Sequence, residues 1–576
     1  MRRVKRCVRV VAAVATLAGG MVSAGGSPAA AGGAAEAAAG VASGASAGVA
    51  SEAAGVASRV AAGGASGAAA GASARSGIAW TACPAADRTD ATPGQATPSR
   101  AARTECGAVR VPVDYRLPLG RSLTIAVNRI PATVPRDGGR YLGTMLVNPG
   151  GPGGSGRKLA EFVAGALPAE LAGRYDIVGF DPRGVGGSSP AMHCVDPRTY
   201  YAPPRPDAVP ADAAEEHVLL GRAQEYANRC AALYPWLLPH MTTADSARDM
   251  DRVRAALGQE KISYFGYSYG TYLGAVYATL FPQRVRRLVL DSSVDPGAVW
   301  YQANLNQDVA FDRRHRDFLA WVARHNDVYR LGRTEEQTSF AWYAMRARLR
   351  EHPAGGVVGP SELDDLFSTG GYTDRLWPQL ASLWSRYVRQ GDVNGLLDGY
   401  DRLAGHGTED ENGYAVYLSV QCTDAPWPRD WAAWHADMAP LHRSAPFMTW
   451  PNAWYNAPCA FWPQPGGKPV DVRGRTDLPP ILMVQSRGDA ATPYQGALNL
   501  LRRLPTARMV VEGGGNHGIS LSGNTCVDRH LVTYLSEGKV PRRTAVCPAV
   551  PEPRAVDRMA ARRLHGQESL TQALSG

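Results

Sequence analysis

Residues 261–274 read KISYFGYSYGTYLG. Ile262–Tyr267 has the apolar and aromatic character of a buried strand, and Thr271–Phe281 (TYLGAVYATLF) that of a packed small-residue helix. Between them lies Gly266-Tyr267-Ser268-Tyr269-Gly270, a G-x-S-x-G match in a strand–turn–helix context. So tight a turn forces the serine into strained backbone, and the flanking glycines relieve the crowding. The hydroxyl then stands above the sheet edge, near a helix N-terminus that favours developing negative charge. Ser268 is therefore the candidate nucleophile.

Working outward, Thr144–Val147 (TMLV), Tyr175–Phe180 (YDIVGF), Arg287–Asp291 (RLVLD), Pro480–Gln485 (PILMVQ) and Ala507–Glu512 (ARMVVE) are expected strands. Ser246–Leu257 reads as a helix, with Ala247, Met250, Val253 and Leu257 on one face. Strands separated by helices predict a parallel sheet covered on both faces. After Asp295-Pro296 the pattern breaks. Residues 297–475 are rich in Trp, Arg and Tyr, and Trp377, Leu380, Trp384 and Val388 follow helical spacing. A mostly helical insertion in an α/β core is the expected architecture.

A serine hydroxyl needs a base, and the base needs an acid to set its tautomer and stabilise its charged form. Of 12 histidines, His517 stands out in Gly513-Gly514-Gly515-Asn516-His517-Gly518, a glycine-rich loop after the last expected strand. His406, His435 and His442 fall in the insertion and read as surface residues. Asp489 follows the strand ILMVQ, and Thr492 is placed to cap the next helix and hold the Asp489 loop. The order Ser268, Asp489, His517 matches Ser…Asp…His of one hydrolase class and neither of the other two familiar serine-protease orders. For the oxyanion, the Tyr269 N–H follows the nucleophile, and the Gly151 N–H is favoured within Asn148–Gly156 (NPGGPGGSG). A phosphate site there would need a Lys-Ser/Thr ending or G-x-G-x-x-G spacing, and the loop has neither.

NPGGPGGSG, DIVGFDPRGVGGSS, YFGYSYGTYLG, RGDAATP and GGGNHG together resemble the tripeptidyl-aminopeptidase-like branch of the prolyl-aminopeptidase (S33) α/β-hydrolases, over roughly residues 80–550. The resemblance implies an α/β-hydrolase fold, a mostly parallel sheet with a helical cap insertion, and a TAP-like C-terminal segment. It further implies a secreted serine exopeptidase that takes peptide substrates and needs no metal or organic cofactor. Arg183, in the matching Asp181-x-Arg183-Gly184-x-Gly186-x-Ser188, is expected to brace the oxyanion loop. Asn148-Pro149 stands where many relatives carry His-Gly; the donor is a backbone amide, so the chemistry survives the change. An esterase or lipase using the same triad is the alternative. An exopeptidase also needs an anion for the cationic substrate amine. Glu409, Asp410 and Glu411, in one acidic run, and Asp424, next to Cys422, are the candidates in the insertion.

The chain has 576 residues, 45% hydrophobic and 20% charged, a globular balance with ample length for a large core. Its formal charge is +9, but Arg2, Arg3, Lys5, Arg6 and Arg9 supply five of those charges, and no basic run follows. A nucleic-acid partner is therefore not expected. Residues 1–24 read as a secretory signal peptide, whose apolar Val10–Val22 is too short to span a bilayer. Val22-Ser23-Ala24 or Ala29-Ala30-Ala31 suits cleavage. Residues 25–77 are almost entirely Ala, Gly, Ser and Val and cannot offset chain entropy by burial, as a disordered linker or propeptide would. The expected divisions are thus 1–24, 25–77, core 78–296, cap 297–475, core 476–555 and tail 556–576. Beyond Cys7, eight cysteines in an exported chain suggest disulfides, with 105 connectivities open. The simplest pairs sequence neighbours: 83–106, 194–230, 422–459 and 526–547.

Overall fold

The structure is a computed structural model that describes residues 77–84 and 103–555. The expected signal peptide, the tail and nearly all of the expected linker lie outside those residues.

Among the described residues ten strands form one sheet: β1 (Thr81–Ala82), β2 (Glu105–Pro112), β3 (Ser122–Ile130), β4 (Thr144–Asn148), β5 (Asp176–Phe180), β6 (Ile262–Tyr267), β7 (Val285–Asp291), β8 (Ile481–Ser486), β9 (Ala507–Glu512) and β10 (Ala545–Cys547). Their order is β1-β2-β3-β5-β4-β6-β7-β8-β9-β10. The pairings β1–β2, β2–β3 and β3–β5 are antiparallel, and the rest are parallel. From β4 the chain first steps outward to β5 and then returns to place β6 on the other side. That reversal opens a crevice at the carboxyl ends of β4 and β6, where ligands bind in open α/β sheets. Register aligns these ends: Asn148 pairs with Gly266, Tyr267 with Asp291, Asp291 with Val484, and Ser486 with Glu512.

Alternation along the buried strands feeds two cores. Leu146, Val178, Tyr264, Leu288, Leu290 and Met483 face one side. There helices Thr243–Ala256 and Tyr269–Leu280 cover them. Met145, Val147, Ile177, Phe265, Val289 and Leu482 face the other, under helices Gly156–Ala166 and Thr525–Glu537. β2 and β3 are not among the expected strands, although Leu123, Ile125 and Val127 alternate into the core as a strand with one buried face requires.

Between β7 and β8 the chain is helical, as expected. Its first part, from Tyr301–Arg324 to Val393–Leu403, builds its own core around Phe318, Trp321, Trp342, Trp377 and Trp384. Val388 lies outside that core at 37% exposure, because the buried stripe of this helix continues from Trp384 through Tyr387. The second part, from Thr408–Asp424 to Ala457–Phe461, shares a core with the sheet. A second helical excursion, between β5 and β6, joins it: Trp431 donates to Glu216 at 2.7 Å and Trp454 to the Ala208 carbonyl at 2.8 Å. The four disulfides are Cys83–Cys106, Cys194–Cys230, Cys422–Cys459 and Cys526–Cys547, the neighbour pairing. Among the described residues, no helix is long and apolar enough to cross a membrane.

Candidate active site

Ser268 sits between β6 and helix Tyr269–Leu280 with φ 53° and ψ −127°, a conformation that a side chain adopts only under strain. The turn closes because Gly266 has no Cβ: one there would lie 2.5 Å from the Gly270 carbonyl oxygen. The Ser268 N–H donates to the Asp291 carbonyl at 3.0 Å, and the Ser268 carbonyl accepts from Thr271 N–H at 2.8 Å. The helix begins at the next residue, so its positive end faces the serine.

The glycine loop after β4 presses against this turn. A Cβ on Gly150 would lie 2.8 Å from the Ser268 Cβ, and Gly150 has φ +108°, so only glycine fits. Gly150 N–H donates to Asn148 Oδ1 at 3.1 Å, which holds the start of the loop. Asp181 holds its end, accepting from Ser155 Oγ at 2.6 Å and from Gly187 N–H at 2.9 Å. Arg183 does not brace this loop. Its buried guanidinium bonds both oxygens of Asp249 at 2.7 and 2.8 Å and the carbonyls of His240 and Val113. The sequence placed the right motif, but the neighbouring Asp181 does the bracing.

His517 and Asp489 form a pair whose side chains are 0% exposed, with Nδ1 2.9 and 3.0 Å from the two carboxylate oxygens. Asp489 also accepts from Thr492 N–H and Oγ1, both at 2.9 Å, and from Gln485 Nε2 at 3.3 Å. This makes Nδ1 the protonated ring nitrogen. His517 Nε2 is buried and bonds to no protein group, so its lone pair is free to accept a proton. Thr492 holds Asp489 as expected but is not the helix cap; helix Tyr494–Arg503 starts after Pro493. From the helical layer, the Tyr372 carbonyl accepts the His517 N–H at 2.8 Å, and its ring meets the imidazole edge-to-face at 5.7 Å. Burial, with Asp489 nearby, pushes the Tyr372 phenol up to about 12. Nothing in the sequence around Tyr372 announces this contact, because it is made only when the helical layer docks.

Ser268, Gly151, Tyr269, Thr492 and Tyr372 line one cavity of about 790 Å³, a size that suits a small organic ligand or short peptide. Its walls carry Tyr200, Tyr201, Trp300, Tyr414, Tyr417 and Tyr455, the last with 43% of its surface exposed. Of the four candidate carboxylates only Asp410 lines the cavity. Asp424 is buried, accepting from Thr243 N–H at 2.7 Å, Thr243 Oγ1 at 2.5 Å and Trp300 Nε1 at 3.4 Å. The neighbouring Cys422–Cys459 disulfide anchors this segment, but Asp424 does not line the cavity; burial pushes its carboxyl up to about 6. Glu411 is buried too, on Cys194 N–H, His193 and Tyr226. Glu409 is exposed and pairs with Lys158 at 2.5 Å. His406, expected at the surface, lines the cavity: it bonds Asp365 at 3.1 Å and stacks on Tyr201 at 4.6 Å. Cys526, His530 and Cys547 have ligand atoms within 4.8 Å of one another, but the two sulfurs are joined in a disulfide and hold no metal.

Comparison with known proteins agrees with this fold. A family model described as alpha/beta hydrolase fold matches residues 143–354, and one described as TAP-like protein matches residues 445–547. Over 489 residues the chain is 45% identical to a Streptomyces lividans protein named tripeptidyl aminopeptidase, covering 83% of this chain and 88% of that one. It is 31% identical over 492 residues to serine protease Hip1 of Mycobacterium tuberculosis, covering 82% and 91%. It is 33% identical over 460 residues to carboxylesterase B of the same species, covering 77% and 86%. With the strained Ser268 turn, the switch-point cavity and the TAP-like C-terminal segment in place, the chain belongs to the tripeptidyl-aminopeptidase-like α/β-hydrolases, and it is a serine hydrolase of their peptidase branch.

Proposed function

We propose that this chain is a secreted exopeptidase that releases short peptides, tripeptides foremost, from free N-termini through a Ser268–His517–Asp489 acyl-enzyme mechanism. The observation that carries the reading is the buried Asp489–His517 pair, its Nε2 without a protein partner, in a fold that also holds a strained Ser268 on the cavity wall. Ser268 Oγ attacks the scissile carbonyl carbon while His517 Nε2 takes its proton, and Asp489 stabilises the imidazolium. The amides of Gly151 and Tyr269 receive the oxyanion. The C–N bond breaks as His517 returns the proton to the leaving amine. Water, deprotonated by His517, then attacks the acyl-enzyme and frees the N-terminal peptide. No cofactor enters these steps.

The cap is residues 297–475 together with the helical excursion before β6, and it closes the cavity against long N-terminal extensions. Asp410, which lines the cavity and whose carboxylate also accepts the Gly407 N–H at 2.6 Å, is the candidate partner of the substrate ammonium, which is charged below about pH 8. Four disulfides and the basic–apolar leader at residues 1–24 support export.

The test is a set of free and N-acetylated di-, tri- and tetrapeptide p-nitroanilides, with Ser268→Ala as control. A charge-assisted contact of about 1.5–3 kcal/mol predicts that acetylation lowers kcat/KM roughly tenfold or more. Ser268→Ala lowers kcat by about 10⁶ and abolishes fluorophosphonate labelling. Equal cleavage of free and acetylated tripeptides removes amine recognition. It would favour the second reading, a secreted carboxylesterase on the same triad, for which the carboxylesterase B relative speaks.

A further inference from the structure

The carboxyl end of β7 carries Asp291-Ser292, fully buried residues that the acyl-transfer steps leave without a role. The Asp291 carbonyl is the one that accepts the Ser268 N–H. Its carboxylate turns to the other loop, accepting from Ser520 N–H at 2.7 Å and Ile519 N–H at 3.3 Å. Ser292 Oγ donates to Asp291 at 3.0 Å and accepts from Gly518 N–H at 2.8 Å. Three consecutive amides directly after His517 thus end on two side chains of β7, while the same strand end holds the nucleophile turn.

The local backbone is strained in the same place. Among the described residues four non-glycines have positive φ, and three of them are Ser268 at 53°, Ser292 at 60° and Leu521 at 62°. Strain of this kind persists only where surrounding contacts over-determine it. The hydrogen-bond partners of the Asp291 carboxylate are amides and a hydroxyl, and none is a cation. Burial pushes its carboxyl up to about 6, against the hydrogen bonds from Ser520, Ser292 and Ile519 that hold it down. A buried carboxylate that meets hydrogen-bond donors but no cation is an expensive way to end a strand if packing were its only task.

We propose that Asp291, with Ser292, is a positioning residue that fixes the His517 imidazole against Ser268 by clamping both loops to the end of β7. The inference rests on the triad reading above. Asp291 does not line the cavity, so its effect should reach the reaction through His517 and leave substrate binding alone.

The experiment is a double-mutant cycle in the full-length protein. Asp291→Asn and Ser292→Ala are each made in the wild-type and the His517→Ala backgrounds. Turnover of an activated p-nitrophenyl ester, measurable without the base, is followed beside that of a tripeptide p-nitroanilide. In the wild-type background Asp291→Asn should lower kcat by roughly 10–100-fold with KM within about twofold, and Ser292→Ala by roughly 3–10-fold. In the His517→Ala background neither should change residual ester turnover by more than about twofold. A loss of the same size in both backgrounds would show a merely structural role and overturn the proposal, as would Asp291→Asn with kcat within twofold of wild type. If Asp291→Asn is not recovered folded, Ser292→Ala, which keeps the carboxylate, carries the same comparison. Full activity in His517→Ala alone would instead overturn the triad reading, a distinct result.

Discussion

Asp489→Asn separates the proposed acid from a merely structural turn residue. One carboxylate oxygen becomes an NH₂ group, yet every partner of Asp489 is a donor: His517 Nδ1, Thr492 N–H, Thr492 Oγ1 and Gln485 Nε2. Whichever way the amide turns, a donor faces a donor. The arrangement escapes this by moving the imidazole proton to Nε2, so that Nδ1 accepts from the new amide. Nε2 is then blocked as a base. Changing the acid of a triad to Asn in this way costs about 10⁴ in kcat, or about 5 kcal/mol of barrier. Asp489 is 2% exposed and does not line the cavity, so KM should stay within about threefold. Thr492→Val grades the effect: it removes one donor to the carboxylate, worth about 0.5–1.5 kcal/mol, and should lower kcat by no more than about tenfold. The assay is steady-state kinetics on a free tripeptide p-nitroanilide, with fluorophosphonate inactivation rates and thermal unfolding run in parallel. A well-folded Asp489→Asn enzyme with kcat within tenfold of wild type would refute the assignment.

Gly150→Ala introduces a Cβ 2.8 Å from both the Ser268 Cβ and the Tyr267 carbonyl oxygen at φ +108°, and strain of about 1–3 kcal/mol should lower kcat roughly 10–100-fold; unchanged kinetics would show that the loop moves freely. Asp424 has its carboxyl raised from 3.8 to about 6, so the folded state holds its proton more tightly than the unfolded chain. Its contribution to stability is then full below the unfolded value and is lost as pH rises through about 6, by up to about 3 kcal/mol. Asp424→Asn, which mimics the protonated form, should flatten the fall in Tm between pH 4.5 and 7, and parallel profiles for the two proteins would contradict this. Cys526→Ser opens a loop of sequence separation 21 that ties β10 to helix Thr525–Glu537, and should cost about 3 kcal/mol, read in urea unfolding.

Much of this protein is legible along the chain, because the features concerned are local. The strand–turn–helix around Ser268 needs glycines at fixed offsets, and the observed β6 has the expected bounds of Ile262–Tyr267. The helix after it begins at Tyr269, two residues before the expected Thr271, because the strained Ser268 leads straight into the first helical turn. Neighbouring cysteines pair as the shortest loops allow. Asp489 and His517 were recognisable because each follows a strand that ends at the same edge of the sheet, so sheet topology alone gathers them.

What depended on distant segments meeting could not be read that way. Glu409, Asp410, Glu411 and Asp424 look alike as acidic residues of the insertion. Yet they share one helix, Thr408–Asp424, whose turns aim them in different directions. Asp410 faces the cavity, Glu409 faces Lys158, and Glu411 and Asp424 are buried on separate backbone amides. Arg183 and Asp181 lie two residues apart, and only packing decides which one holds the glycine loop. Asp291 ends a strand whose sequence, RLVLD, shows nothing but burial; its role arises where three amides from residues 518–520 converge on it and on Ser292. A single chain position states its chemistry, but which partner satisfies a buried charge is settled by the tertiary fold, since the desolvated group must find its donors wherever packing brings them.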